Sequence, residues 1–352
     1  MFSFKLTAQS GSIFDRLAGV EVREITIRTD LASILDSRNE EPEYVPGQLT
    51  VERGGIAEQW SVKVKARGKY RRRVCDFPPL KLNFSKGDLR ARGLSDHDDI
   101  KLVTHCTDDR LDGRDNVLRE YLVYRMYNQL TSASYRVQLV KIQYIDTEGR
   151  VNPVRRYGFL IEDTDEMAAR LGGEECETCM NPAPATVDLA SENLHALFQY
   201  FIGNTDYSLP MVRNLKLVSR PGQPLIPVGY DFDFSGMVNA PYAVPSVHMG
   251  QLTVQHRIFL GLPAPDDVIG KNIALFRQKR PALLQTIRSF RLLNRESKDE
   301  MIAYLEQFFL HIDQLERSST ANTWYHRLRQ EAPFALPTGG AAESYGIGVR
   351  KR

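Results

Sequence analysis

From Val20 to Phe84 the chain reads as mostly extended, with apolar residues recurring at or near every second position, and this limits its fold more than any other feature. Val22-Arg23-Glu24-Ile25-Thr26-Ile27 opens the pattern as a half-buried strand. Leu49–Arg53 and Trp60–Lys65 flank Gly54-Gly55, which predicts a hairpin with a loop a little longer than the two-residue minimum. Leu80-Lys81-Leu82-Asn83-Phe84 alternates again after the breaker Pro78-Pro79. The chain is therefore expected to begin as an antiparallel sheet. A helix from about Asp115 to Leu130 follows, since Leu118, Leu122, Met126 and Leu130 lie four apart, and strand character returns over Val137–Ile145 and Tyr157–Ile161. A sheet with one inserted helix results.

After Asp163 the texture changes. Met167–Leu171 is short and helical, and 172–184 reads as a linker or mobile loop holding Cys176 and Cys179. Leu194, Leu197, Phe198 and Phe201 have the spacing of a buried helix, with Gly203 in the position that ends it. Extended pieces are expected at Asn214–Val218 and Ile226–Tyr230, then helices to about Leu315. In the last helix Ser297 and Glu300 have capping-box spacing, ahead of a stripe of Met301, Leu305, Phe308, Phe309 and Ile312. The reading is an α+β chain with an N-terminal extension (1–17), a β-rich lobe (18–165), a mainly helical lobe (166–336) and a disordered tail (337–352).

With 352 residues, 42% hydrophobic and 26% charged, the chain can build two real cores. No run approaches the roughly 18 consecutive apolar residues of a membrane span, and Met1–Asp15 has no long apolar stretch of the secretory kind. A cytoplasmic location is the default expectation, a periplasmic or extracellular one if the start is trimmed. The net charge of +2 hides a basic segment, 63–92, with eleven Lys or Arg residues against Asp76 and Asp88. That segment is either a solvated strand face or a seat for phosphate or nucleic acid. Cys176-Glu177-Thr178-Cys179 has the gap of a zinc knuckle or redox pair but no second pair to complete a site. Cys75 and Cys106 read as buried thiols in a reducing compartment, with a bridge between neighbouring strands as the alternative.

The residues with most chemical promise lie in the second half. Asn204-Thr205-Asp206-Tyr207 follows the helix break at Gly203, and Asn214 comes eight residues after Asp206. In Tyr230-Asp231-Phe232-Asp233 a strand runs into two carboxylates, which alternation places on the same side of an extended chain. Like charges that close call for a cation, and oxygen ligands with an Asn partner suit Mg²⁺ or Mn²⁺ bound to phosphates. Asp206 taken alone reads first as an Asx cap. Phosphoryl transfer needs a base beside the acceptor hydroxyl and Asn plus Asp on the nucleotide-bound metal. It also needs a cation, for which Lys81 on its strand is the candidate with Lys101 and Lys65 as rivals, and Glu120 on the first long helix to position it. Arg67-Gly68-Lys69 is the nearest approach to a phosphate-facing turn, since no P-loop or G-x-G-x-x-G segment occurs.

These motifs, taken in order from about Val22 to Ser235, resemble the spore-coat CotH-type atypical protein kinases. Val64-Lys65-Ala66-Arg67-Gly68-Lys69 is similar to that family's arginine-glycine-asparagine segment, with Lys69 in place of asparagine. Pro79–Phe84 resembles its lysine strand, Arg114–Leu130 the helix that follows, and Tyr157–Glu162 its glycine-aromatic strand ending in glutamate. The resemblance implies a divergent two-lobed kinase-like fold, Asp206 as catalytic base, Asn214 and Asp231 as metal ligands beside Asp233, and Glu162 near the nucleotide cleft. ATP and Mg²⁺ or Mn²⁺ are the implied cofactors, with a protein or small-molecule acceptor as partner. Tyr207 stands where tryptophan is common, and Asn214 follows Arg213 instead of a second asparagine. Three other readings stay open: nucleotidyl transfer on the same site, a non-catalytic anion- or partner-binding protein of kinase shape, and a metal-dependent nuclease. Nucleic acid is the partner ranked last.

Overall fold

The computed structural model describes residues 11–19, 22–37, 40–318 and 323–329. The tail expected at 337–352, and 1–10 of the expected N-terminal extension, lie outside the described residues. Seven strands form the first layer: β1 (Arg23–Thr29), β2 (Val45–Arg53), β3 (Ile56–Ala66), β4 (Leu80–Phe84), β5 (Asp99–Val103), β6 (Val137–Asp146) and β7 (Val154–Ile161). They close into a barrel in the order β1-β2-β3-β4-β5-β7-β6. Every pairing is antiparallel except the closing one, where β1 runs parallel to β6 with Ile25 opposite Ile142.

This corrects the expected two-lobed kinase-like fold, in which the first half would be an open sheet with an inserted helix. Closure is the physical reason. β1 is bonded to β2 on one side and β6 on the other, so the sheet wraps on itself and has no room for a helix within it. The barrel lumen is a packed core of alternating residues that include Ile27, Leu49, Val64, Leu80, Leu82, Ile100, Leu102, Ile142 and Leu160. Three short helices add to it: α1 (Ile13–Leu17), capped by Ser12, α2 (Leu31–Asp36), and, after the one-turn α3 (Arg71–Val74), α4 (Lys86–Ala91).

The remaining helices are α5 (Arg110–Leu130), α6 (Thr164–Arg170), α7 (Leu189–Ile202), α8 (Asp266–Arg288), α9 (Arg295–Arg317) and α10 (Trp324–Arg329). The long α5 lies outside the barrel. Its Tyr121, Tyr124 and Met126 share one core with Leu139, Phe159 and Ile161, the outward residues of β6 and β7, and with the apolar faces of α7, α8 and α9. A small sheet of β8 (Glu174–Glu175), β9 (Leu215–Arg220) and β10 (Gln223–Gly229) borders this layer in the order β10-β9-β8. The segment after β10 is irregular up to α8, apart from one 3₁₀ turn at Val247–Met249. No helix among the described residues is long and apolar enough to cross a membrane.

Both cysteine pairs are bridged, Cys75 to Cys106 and Cys176 to Cys179. The first replaces the expected buried thiols, because an isolated bridge between Phe77 and Cys106 brings the segment after α3 alongside the one before α5. The second joins residues three apart in the loop at 172–184.

Candidate functional site: an acidic trio facing a cationic wall

Register on the outer barrel face decides which lysine reaches the site. Leu80, Leu82 and Phe84 point inward, so Lys81 points outward, opposite Lys65 on β3 and Lys101 on β5. Three lysines thus lie in one cross-strand row with different surroundings. Lys65 sits over the Tyr44 ring, and Lys81 is paired to the Asp99 carboxylate at 2.5 Å. Lys101 donates to Thr164 Oγ1 at 2.5 Å, with its ammonium 4.7 Å from the Tyr135 ring centre and 5.7 Å from that of Tyr230. Burial lowers Lys101 to about 7, and the charges of Arg67 and Lys216 push it the same way. Arg67 is fixed at the end of β3, where its N–H donates to the Pro79 carbonyl. Lys216 on β9 is paired with Glu175 on β8.

Opposite this wall stand the acids. β10 ends at Gly229, and Asp231 follows in the left-handed region with φ of 62°. Asp231 and Asp233 therefore converge through a turn and not through strand alternation, and Asp is among the few residues that tolerate such a turn. The Asp231 N–H donates to the Tyr124 hydroxyl of α5 at 2.8 Å, which ties the turn to the helix carrying Glu120. Glu120, Asp231 and Asp233 offer carboxylate oxygens within 4.8 Å of one another.

Between them lies Arg71 of α3, whose Nε donates to Asp233 at 2.7 Å and whose Nη2 donates to Glu120 at 3.0 Å and Asp231 at 3.1 Å. Burial holds the Glu120 carboxyl well above the usual carboxylate range against the pull of Arg71, with Asp233 and Asp231 adding to the rise. Burial likewise raises Asp231, and there Arg71, Arg67 and Lys101 oppose it. An all-oxygen donor set fits Mg²⁺ or Mn²⁺. Buried Glu120 Oε1, which has no hydrogen-bond partner, gives that set a free lone pair.

Asp206 sits at the rim, on the loop that leaves α7 through Gly203. Gly203 is required there: its φ is 67°, and a Cβ would stand 1.9 Å from the Tyr304 hydroxyl oxygen. The loop is shaped by Asn204, which accepts from the Asp206 N–H, and by Asn214, whose amide donates to Asp206 Oδ2 at 2.9 Å and to the Asp206 carbonyl. Asn214, like Asp231, is left-handed, with φ of 53°, and β9 begins one residue after it. Arg213 lies 3.5 Å from Asp206 Oδ1. Burial raises Asp206 to about 6, opposed by Arg213 and helped by the charges of Asp231 and Asp233.

Of the residues singled out from sequence, the structure thus gathers Glu120, Asp231 and Asp233 tightly, ties Asn214 to Asp206 beside them, and sets Arg67 within electrostatic reach. Lys81 is not brought to the acids: it belongs to the row but is engaged by Asp99. Nor is Glu162 in the cleft. Its side chain is 0% exposed and is clamped by Arg136 at 2.6 Å and Arg170 at 2.7 Å. Lys101, held in sequence as a rival of Lys81, is the inner cation; Arg71 and Lys216 are the residues that sequence reasoning passed over. Arg71 is one of three consecutive arginines in a basic run, and its signal is only that burial of one of them requires an acidic partner. No protein-family model matches the chain, and no characterised protein matches it in sequence.

Proposed function

We propose that the chain is a phosphotransferase that moves the γ-phosphoryl group of ATP to a hydroxyl of a protein or another acceptor, using Mg²⁺ or Mn²⁺. One observation carries the reading: Glu120, Asp231 and Asp233 close to within 4.8 Å of one another, and Asp231 lies within electrostatic reach of Lys101 and Arg67. A metal–polyphosphate complex presents both complementary charges at once. Asp231 and Asp233, with Glu120, supply oxygen ligands. Asn214 has its amide N–H committed to Asp206, so its Oδ1 is the atom that can add to them. The ion, when bound, neutralises charge on the transferring phosphoryl oxygens.

Lys101 and Arg67 from the barrel side and Lys216 from β9 orient the phosphates, and the rings around Lys101 exclude water there. Asp206 Oδ1, the oxygen that Asn214 leaves unbonded, accepts the proton of the acceptor hydroxyl. That hydroxyl oxygen bonds to the γ-phosphorus as the bond from the β–γ bridging oxygen breaks, and ADP departs with the electron pair. A carboxyl raised to about 6 is ionised at neutral pH while remaining a stronger base than an ordinary aspartate.

The test is transfer of label from γ-labelled ATP with Mn²⁺, in the wild type, Asp206→Ala and Asp231→Ala. Loss of roughly a hundredfold or more in both variants is expected. Label transfer that persists in both would sink the assignment, and label arriving from the α-phosphate would make the same site a nucleotidyl transferase.

A further inference from the structure

A side chain of the protein itself fills the centre of the acidic trio. The Arg71 guanidinium touches all three carboxylates at 2.7 to 3.1 Å, and the side chains of Arg71, Glu120 and Asp233 are 7%, 3% and 4% exposed. Carboxylate oxygens this close leave room for one cation. A divalent ion sits about 2.0–2.6 Å from each oxygen ligand, which is the space that Nε and Nη2 now take. Repulsion between guanidinium and ion forbids sharing it.

Two further observations point to exchange rather than permanent neutralisation. Buried Glu120 Oε1 has no donor, and an acceptor buried without one is costly unless something binds there. The backbone beneath Arg71 is also fixed: Cys75, whose N–H donates to the Arg71 carbonyl, is bridged to Cys106. The side chain can therefore swing while its root stays in place.

We propose that Arg71 is a built-in stand-in for the divalent ion, holding Glu120, Asp231 and Asp233 together in the metal-free protein and releasing them, Glu120 included, when metal arrives with polyphosphate. The inference rests on the metal–nucleotide reading above. The displaced guanidinium finds a new partner in the incoming phosphate, which its planar fork matches in two bonds. Free metal brings no such partner and must expel Arg71 into nothing. Metal and nucleotide are therefore taken up together, and the metal alone is refused.

Free Mn²⁺ is titrated against the folded full chain by electron paramagnetic resonance, with and without a non-hydrolysable ATP analogue. The wild type should bind Mn²⁺ alone at least tenfold more weakly than with the analogue. Arg71→Met should tighten binding of Mn²⁺ alone tenfold or more, Arg71→Lys should stay as weak as the wild type, and adding Glu120→Gln to Arg71→Met should remove most of the gain. If Arg71→Met does not fold without metal, Mn²⁺ should restore a cooperative thermal transition whose midpoint climbs with Mn²⁺ concentration. Equal affinity for Mn²⁺ alone in wild type and Arg71→Met, or no restoration by Mn²⁺ of an unfolded variant, overturns the proposal. Wild type that binds no Mn²⁺ even with the analogue removes the phosphotransfer reading instead, and the comparison on Mn²⁺ alone still judges Arg71.

Discussion

Nucleotide binding should draw a proton onto Lys101. A lysine titrating at about 7 is charged in about half the molecules at pH 7 and about a tenth at pH 8. A polyphosphate against the ammonium returns its pKa toward the ordinary lysine range, because an opposite charge favours the charged form. Binding ATP with metal should therefore place about 0.9 proton on Lys101 at pH 8, against about 0.5 at pH 7 and about 0.1 at pH 6, while any proton that the raised Glu120 carboxyl gives up to the metal is common to wild type and Lys101 variants. Phosphate ionisation near 6 is complete at pH 8, so the nucleotide adds little there. Calorimetric titration at pH 8 in two buffers of different ionisation enthalpy gives the proton count as a slope. Lys101→Met keeps the apolar stem and removes the amine, so its count at pH 8 should lie about 0.9 proton below that of the wild type. Equal proton counts in both proteins would refute the placement of Lys101 against phosphate. The same depressed pKa has a folding consequence. The folded state binds fewer protons than the unfolded one between about 7 and the ordinary lysine value, so wild-type stability relative to Lys101→Met should rise with pH through that window.

If Asp206 is the base, kcat/KM should climb with pH through about 6 as the carboxyl ionises, and a flat profile from pH 5 to 7 would remove it from that role. Replacing Cys75 and Cys106 together by Ser should lower unfolding free energy by about 3–4 kcal/mol, while the pair at 176 and 179 should cost at most about half as much, because they close loops of 31 and 3 residues. Urea melts compare the two, and a native protein that titrates with four free thiols would contradict both bridges. Glu162→Gln should destabilise by about 1–3 kcal/mol, because it removes a buried carboxylate that two partly exposed arginines clamp, yet leave nucleotide affinity per folded molecule unchanged. Weaker nucleotide binding without a lower melting point would put Glu162 back in the cleft.

Elements whose signal is local were legible in the chain. Strand β4 runs over Leu80–Phe84 as its alternation predicts, and α7 ends in a left-handed Gly203. Gly54 and Gly55 do turn a hairpin, but Arg53 pairs with Ile56, so the loop has the two-residue minimum, with φ of 57° and 80°. In α9, expected from sequence as the last helix, the side-chain cap is Asn294, which accepts from the Ser297 N–H, three residues before the expected box. Two caps of similar chemistry stood close together, and the earlier one won. Barrel closure left no trace, because it depends on β1 meeting β6 and no local pattern encodes that partner.

The candidate site divides the same way. Asp206, Asn214, Asp231 and Asp233 stand out as acids and amides beside glycine breaks, whereas the choice between Lys81 and Lys101 is a matter of depth on a curved surface. The two are cross-strand neighbours, yet one meets Asp99 and the other Thr164. Arg71 was hidden by its neighbours, since three consecutive arginines read as a surface run until one of them is folded inward.

The parallel seam between β1 and β6 also governs the order in which this barrel can be made. Strands β2, β3, β4 and β5 can add to one another in sequence, each by an antiparallel neighbour contact. β1 has a bare edge until residues 140–146 exist to cover it, more than a hundred residues later. During synthesis the whole of α5 emerges in that interval and must already lie outside the sheet when the seam shuts. Until then β1 offers unpaired N–H and C=O groups to any extended segment nearby, so the nascent chain is vulnerable to mispairing along an edge that the finished barrel covers.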